Sequence, residues 1–164
     1  MFFNQKVENP MLCGAIEAFK ADRNDQKRMQ VVEEILKAYF LCPCTVSERP
    51  VLDENGEPVL PDGCEISPKM IQDKEGRPLL LAFTNEQQME KWQEQRTVRD
   101  IVYPFATCFL EYANFMLQQQ EDGSYGPAQG FVIDPYGDNY VVDRDMVANM
   151  LVRLQMRSEA KEKK

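Results

Sequence analysis

A chain of 164 residues with 43% hydrophobic and 28% charged side chains has the size of one domain and enough apolar surface to fold without a disulfide or metal staple. Its formal net charge of −8 repels phosphate backbones and anionic bilayers, which argues against a nucleic-acid partner and against a membrane-surface role. No run nears the ~18 apolar residues of a membrane span. The opening Met1-Phe2-Phe3-Asn4-Gln5-Lys6 has no basic stretch ahead of an apolar one, so the five cysteines are expected as reduced thiols in the cytoplasm.

Asn9-Pro10 opens the first expected helix, with Asn as cap and Pro at the first helical position. Leu12, Ala15, Ile16 and Phe19 follow at helical spacing. After the polar break Asp22-Arg23-Asn24-Asp25, a second helix is expected over about 25–40. Met29, Val32, Ile35, Leu36 and Tyr39 form its apolar stripe, and the two helices read as a helical hairpin. Pro43 ends the second helix, and Phe40 to Val46 can run on as a short extended segment. Asn55-Gly56, between Pro50-Val51-Leu52 and Pro58-Val59-Leu60, signals a β-hairpin.

Ile66 to Gln72 reads as one strand, and Asp73-Lys74-Glu75-Gly76 as a turn. The continuous apolar run Leu79–Phe83 suits a strand buried on both faces. Thr84, with Gln87 three residues later, gives a capping-box pattern for a helix whose inner face is Met89 and Trp92. Val98 to Tyr103 reads as a short strand. Pro104 then starts a helix to about Gln120, carrying Phe105, Cys108, Phe109, Tyr112 and Met116. Residues 121–127 form a loop, Gly130–Ile133 a second apolar strand, Asp134–Asp138 a turn and Tyr140–Val142 the returning strand. Asp143 caps the last helix, with Val147, Met150, Leu151 and Leu154 as its stripe. The expected fold is α+β: a mixed, largely antiparallel sheet packed by about five helices, beginning with the helical hairpin. One domain spans 1–157, and 158–164 is a charged, solvated C-terminal tail.

The chain has no histidine. That removes the usual general base at neutral pH, the commonest metal ligand and every His-dependent triad. Cys42-Pro43-Cys44 could present two sulfurs to one metal, with Cys64 and Cys108 completing a set. The spacing matches no zinc ribbon or finger, so no metal and no cofactor are expected. Asp53–Glu57 places its glycine and acids wrongly for a calcium loop. No phosphate-binding or nucleophile-elbow motif occurs. No catalytic residue is assigned.

Four ordered motifs carry a resemblance: Asn9-Pro10-Met11-Leu12 opening a helix; a second helix leading to Pro43; Leu79–Glu86 with Trp92 after it; and Phe131-Val132-Ile133-Asp134-Pro135. Together, over about residues 9–154, they resemble the N-terminal domain of the SseB family, the enhanced serine sensitivity proteins. The resemblance implies a bacterial α+β domain without established catalytic activity. Asp134 stands where that family usually has Asn, and residues 47–65 look like an added hairpin. The reading that follows is a non-catalytic cytosolic protein-interaction or regulatory domain, with a protein partner. The alternatives are a small-ligand-binding protein or carboxylate-based enzyme, and a secretion-linked or chaperone-like protein. The expected ligand or partner site is Phe83, Thr84, Trp92, Asp134 and Pro135, where two apolar strands end.

Overall fold

The computed structural model describes residues 1–118 and 128–163. The loop expected at 121–127 and the end of the helix expected to reach Gln120 lie outside them. The helical hairpin is present as α1 (Pro10–Ala21) and α2 (Asp25–Lys37). Asn24 caps α2 by accepting from the Lys27 amide at 2.9 Å. The second helix is shorter than expected, because Tyr39 already pairs with Cys108 as the first residue of β2 (Tyr39–Val46). Pro43 therefore sits inside a strand and not at a helix end.

One sheet has the order β1 (Phe2–Phe3), β8 (Tyr103–Cys108), β2, β5 (Ile66–Pro68). The other has the order β10 (Tyr140–Asp143), β9 (Gly130–Ile133), β7 (Pro78–Ala82), β6 (Met70–Gln72). All pairings within them are antiparallel except β7 with β9, which run parallel. The sheets meet where Leu41 and Phe83 exchange backbone hydrogen bonds of 2.8 and 2.9 Å. The strand expected over 66–72 is divided between them. Its first half pairs with β2, the Lys69 amide donates to the Pro43 carbonyl at 2.9 Å, and its second half pairs with β7.

Pro104 does not start a helix. It lies in β8 directly opposite Pro43, and Phe105 and Cys108 are strand residues too. In an antiparallel pair each residue turns its N–H and C=O to the same side. The Pro43 carbonyl accepts from Lys69 and the Pro104 carbonyl from Asn4 at 3.4 Å, both away from the β2–β8 ladder. The two prolines thus remove no bond from that ladder. The missing donors fall on the outer sides, where β5 gives way to β6 and β1 has ended.

The remaining helices are α3 (Glu86–Glu94), α4 (Phe109–Leu117) and α5 (Arg144–Glu162). Asp143 caps α5 by accepting from Met146 N at 2.9 Å. This helix runs on through most of the segment expected as a tail, with those residues exposed. Side chains of β7 and β9 alternate between two cores, as period-two geometry requires. Leu80, Ala82, Phe131 and Ile133 join α1, α2, α4 and α5 in the larger one. There Tyr112 stacks on Phe131 with ring centroids 4.8 Å apart. Leu79, Leu81, Phe83 and Val132 join Met89 and Trp92 of α3 in the smaller one. Both faces are covered, which is why these strands read as unbroken apolar runs.

Residues 47–65 form their own hairpin, β3 (Val51–Leu52) with β4 (Pro58–Val59), separate from both sheets.

Candidate functional site

The parallel strands β7 and β9 end side by side, and ligand crevices in open sheets lie beyond the carboxyl ends of such strands. Phe83-Thr84 leaves one end and Asp134-Pro135 the other. The Asp134 backbone turns left-handed there, with φ 49°. Its carboxylate reaches across to Thr84. Oδ1 accepts from the Thr84 amide at 2.9 Å and Oδ2 from the Thr84 hydroxyl at 2.6 Å. The Thr84 carbonyl accepts from Asn9 Nδ2 at 3.0 Å, and the same nitrogen donates to the Tyr39 carbonyl at 2.8 Å. Asn9 was expected as a helix cap; its side chain instead ties the start of α1 to both sheets. Thr84 is likewise not the cap of α3. That role falls to Asn85, which accepts from the Gln88 amide at 3.0 Å, because Thr84 is engaged by Asp134.

Burial pushes the Asp134 carboxyl above the usual range; the two Thr84 bonds oppose the shift and the Asp138 charge adds to it. Burial likewise raises the Cys13 thiol, which lies within reach of Thr84. Thr84 and Asp134 are 0% and 2% exposed. Chemically the pair is a clamp between strand ends, with both carboxylate oxygens occupied by Thr84.

The other expected residues lie around the same clamp. Phe83 is buried against Trp92, with ring centroids 5.7 Å apart. Pro135 is half-buried, and Tyr136 after it is exposed. Tyr136 and Trp92 share a surface depression of about 280 Å³ with Lys69, Met70, Arg96 and Val98. The Arg96 guanidinium lies 4.7 Å from the centre of the Trp92 ring, a cation–π geometry. Asp100 holds it there through its carboxylate and its carbonyl. The other Asp100 oxygen accepts from Lys69 Nζ at 2.5 Å. The sequence reading missed Arg96, Asp100, Lys69 and Tyr136. Trp92 and Arg96 stand four residues apart, a spacing that would make them neighbours on a helix, although α3 ends at Glu94 and Arg96 lies just past it.

The family described as SseB protein N-terminal domain matches residues 12–149. The chain belongs to the SseB family. The matched span of this SseB-family chain runs from α1 into α5 and holds the Thr84–Asp134 clamp and the Trp92 face. No curated protein and no solved structure matches the chain.

Among the described residues, no group of three Cys, Asp or Glu side chains is arranged to hold a metal ion. Cys42 and Cys44 share one face of β2, sulfurs 3.9 Å apart, both fully buried. The hydrogen bond with Cys42, together with burial, pushes the Cys44 thiol far up. Cys64 is engaged elsewhere, donating to the Glu48 carbonyl at 3.5 Å. No helix among the described residues is long and apolar enough to cross a membrane.

Proposed function

We propose that this SseB-family chain is a non-catalytic protein-interaction domain of the bacterial cytoplasm, and that its partner docks on the face built over Trp92, Arg96 and Tyr136. The observation that supports the reading is the composition and fixation of that face. Tyrosine and arginine are among the side chains that most often carry binding energy at protein interfaces, and Trp92, 5% exposed, backs them as part of the smaller core. Here Arg96 is already stacked on Trp92 and pinned by Asp100, so little side-chain freedom remains to be lost on binding. Around it Met70, Val98 and Tyr136 are 40%, 62% and 52% exposed. Phe83 supports Trp92 from beneath, with ring centroids 5.7 Å apart. A carboxylate-based enzyme is disfavoured at these strand ends because Asp134 is buried and both its oxygens are bonded to Thr84.

The test is site-specific photo-crosslinking at native expression level. A benzophenone amino acid at position 136 should trap one discrete protein species. The same group at exposed Met156 of α5 should not, and Arg96→Ala should abolish the Tyr136 product. Absence of a product, or the same products from both positions, would overturn the reading.

A further inference from the structure

The hairpin at 47–65 leaves apolar side chains in water. Val51, Leu52 and Val59 are 53%, 72% and 39% exposed, and β3–β4 joins no other strand among the described residues. An isolated two-stranded hairpin is marginal by itself, yet this one is held at both ends. At its root Ser47 N donates to the Glu65 carbonyl at 2.9 Å, and Glu65 N to the Ser47 hydroxyl at 2.8 Å. Leu60 packs against the larger core. At its tip Asp53 Oδ1 accepts from Asn55 N and Glu57 N at 2.8 and 2.9 Å. The result is a preorganised arm with an unpartnered surface.

Its charge is equally one-sided. Glu48, Asp53, Glu54, Glu57, Asp62 and Glu65 oppose Arg49 alone, so six negative and one positive charge give −5 of the chain's −8. The Trp92 depression carries the opposite sign. Lys69 and Arg96 line it and share a single acid, Asp100, and with exposed Arg99 in the adjoining loop the three cations outnumber that one carboxylate. Arm and face border the same end of the molecule. The arm rises from the ends of β2 and β5. Lys69 follows β5 directly, and the 98–102 loop leads into Tyr103, which pairs with Cys44 near the end of β2.

We infer that the occupant of the Trp92–Arg96–Tyr136 face is the acidic 47–65 arm of a second copy of the chain, an inference that rests on that face being a docking surface. Val51 and Leu52 seat against Met70, Val98 and Tyr136, while Glu54 and Glu57 meet Lys69 and Arg99. Because arm and face adjoin in one copy, a two-fold axis lets each copy give its arm to the other. The contact therefore closes as a dimer and does not propagate.

Sedimentation velocity of the full chain over a concentration series tests this. The expected result is a reversible monomer–dimer equilibrium, weaker at high salt as exposed charge pairs are screened, with a matching change in the emission of the single tryptophan. Leu52→Ser, at a position exposed in the monomer, should weaken association at least tenfold. Glu54→Lys with Glu57→Lys, and separately Lys69→Glu with Arg99→Glu, should do the same. Mixing those two variants should restore the dimer, because both reciprocal contacts regain opposite charges. A monomer at every concentration, or a dimer indifferent to Leu52→Ser and to the arm reversal, would overturn the inference. A monomer that still yields a Tyr136 crosslink to another protein removes the second copy and leaves the face as a docking surface. A monomer without such a crosslink removes both.

Discussion

Three turns in this molecule begin with aspartate and place glycine three residues later; Asp53 serves its own turn as Asp73 does, and Asp73 and Asp134 use the acid in opposite ways. In Asp73–Arg77, Oδ1 accepts from the amides of Glu75 and Arg77 at 2.9 Å each, and Oδ2 pairs with Arg77 Nε at 2.8 Å. In Asp134–Asp138 the backbone turn is also closed, with Gly137 N donating to the Asp134 carbonyl at 2.9 Å. There the carboxylate turns away to Thr84, fifty residues distant in sequence. The bond from the Arg77 amide leads in drawing Asp73 below the usual carboxylate range, while burial drives Asp134 above it. Local sequence writes the turn. The tertiary surroundings decide whether its acid serves the turn or fastens one strand to another.

The comparison breaks most visibly at Asp134. Asp134→Ala leaves the buried Thr84 amide and hydroxyl without acceptors and should cost about 3 kcal/mol in urea unfolding. Asp134→Asn should not. Its carbonyl can keep the Thr84 amide and its amide can donate to the Thr84 hydroxyl, while the buried charge disappears. Stability at neutral pH should equal or exceed that of the parent, and a loss comparable to Asp134→Ala would mean that the charge itself is needed.

The glycines sharpen the contrast at a smaller scale. Gly76 has φ 80° with open space around its Cβ position, so Gly76→Ala should cost about 1 kcal/mol from backbone strain alone. At Gly137 a Cβ would stand 2.6 Å from Gln88 Oε1. Gly137→Ala should therefore displace Gln88, read as shifted backbone amide resonances at the start of α3, which Gly76→Ala should leave unchanged.

The smallest effects are in pH. A carboxyl with a raised folded pKa binds protons more readily folded than unfolded. Its contribution is full below the ordinary carboxylate pKa of about 3.9 and falls as pH rises through the folded value. Asp134 should thus give stability a downward limb above about pH 4, and Asp134→Asn should flatten it. Asp73 has the opposite sign. Its contribution is present above the ordinary pKa and is lost on acidification, so Asp73→Asn should shrink the loss seen on the acid side. Titration of unfolding midpoints in the three proteins would show two slopes of opposite sign, and equal slopes would sink the contrast.

The parts of this fold that were legible in sequence are those whose neighbours lie nearby in the chain. Leu79–Phe83 and Gly130–Ile133 read as buried strands because nothing polar interrupts them, and the first two helices show their stripes. Residues with distant partners were misread. Pro104 looked like a helix start because proline suits that position; its true place, opposite Pro43 in a strand, depends on a register about sixty residues long-range in sequence. Thr84 and Asn85 are both good caps, and the choice was made by Asp134, which no local rule contains. The strand over 66–72 looked continuous because its division comes from pairing with β2 and then β7. The site shows the same split. Trp92 and Asp134 stood out in recognisable motifs. The Arg96–Asp100–Lys69 link did not, because Lys69 arrives only where the chain crosses between sheets.

The facing prolines of β2 and β8 have a consequence for how the ribbon can be assembled. In the native register both turn their missing N–H outward. Sliding one strand by a single residue reverses which residues face the ladder, so Pro43 or Pro104 would point at the opposing strand. A carbonyl there would lose its donor in the interior, at a cost of about 1–3 kcal/mol. The pair acts as a proofreader of alignment: it contributes no hydrogen bond to the correct ribbon, and it penalises the nearest wrong one.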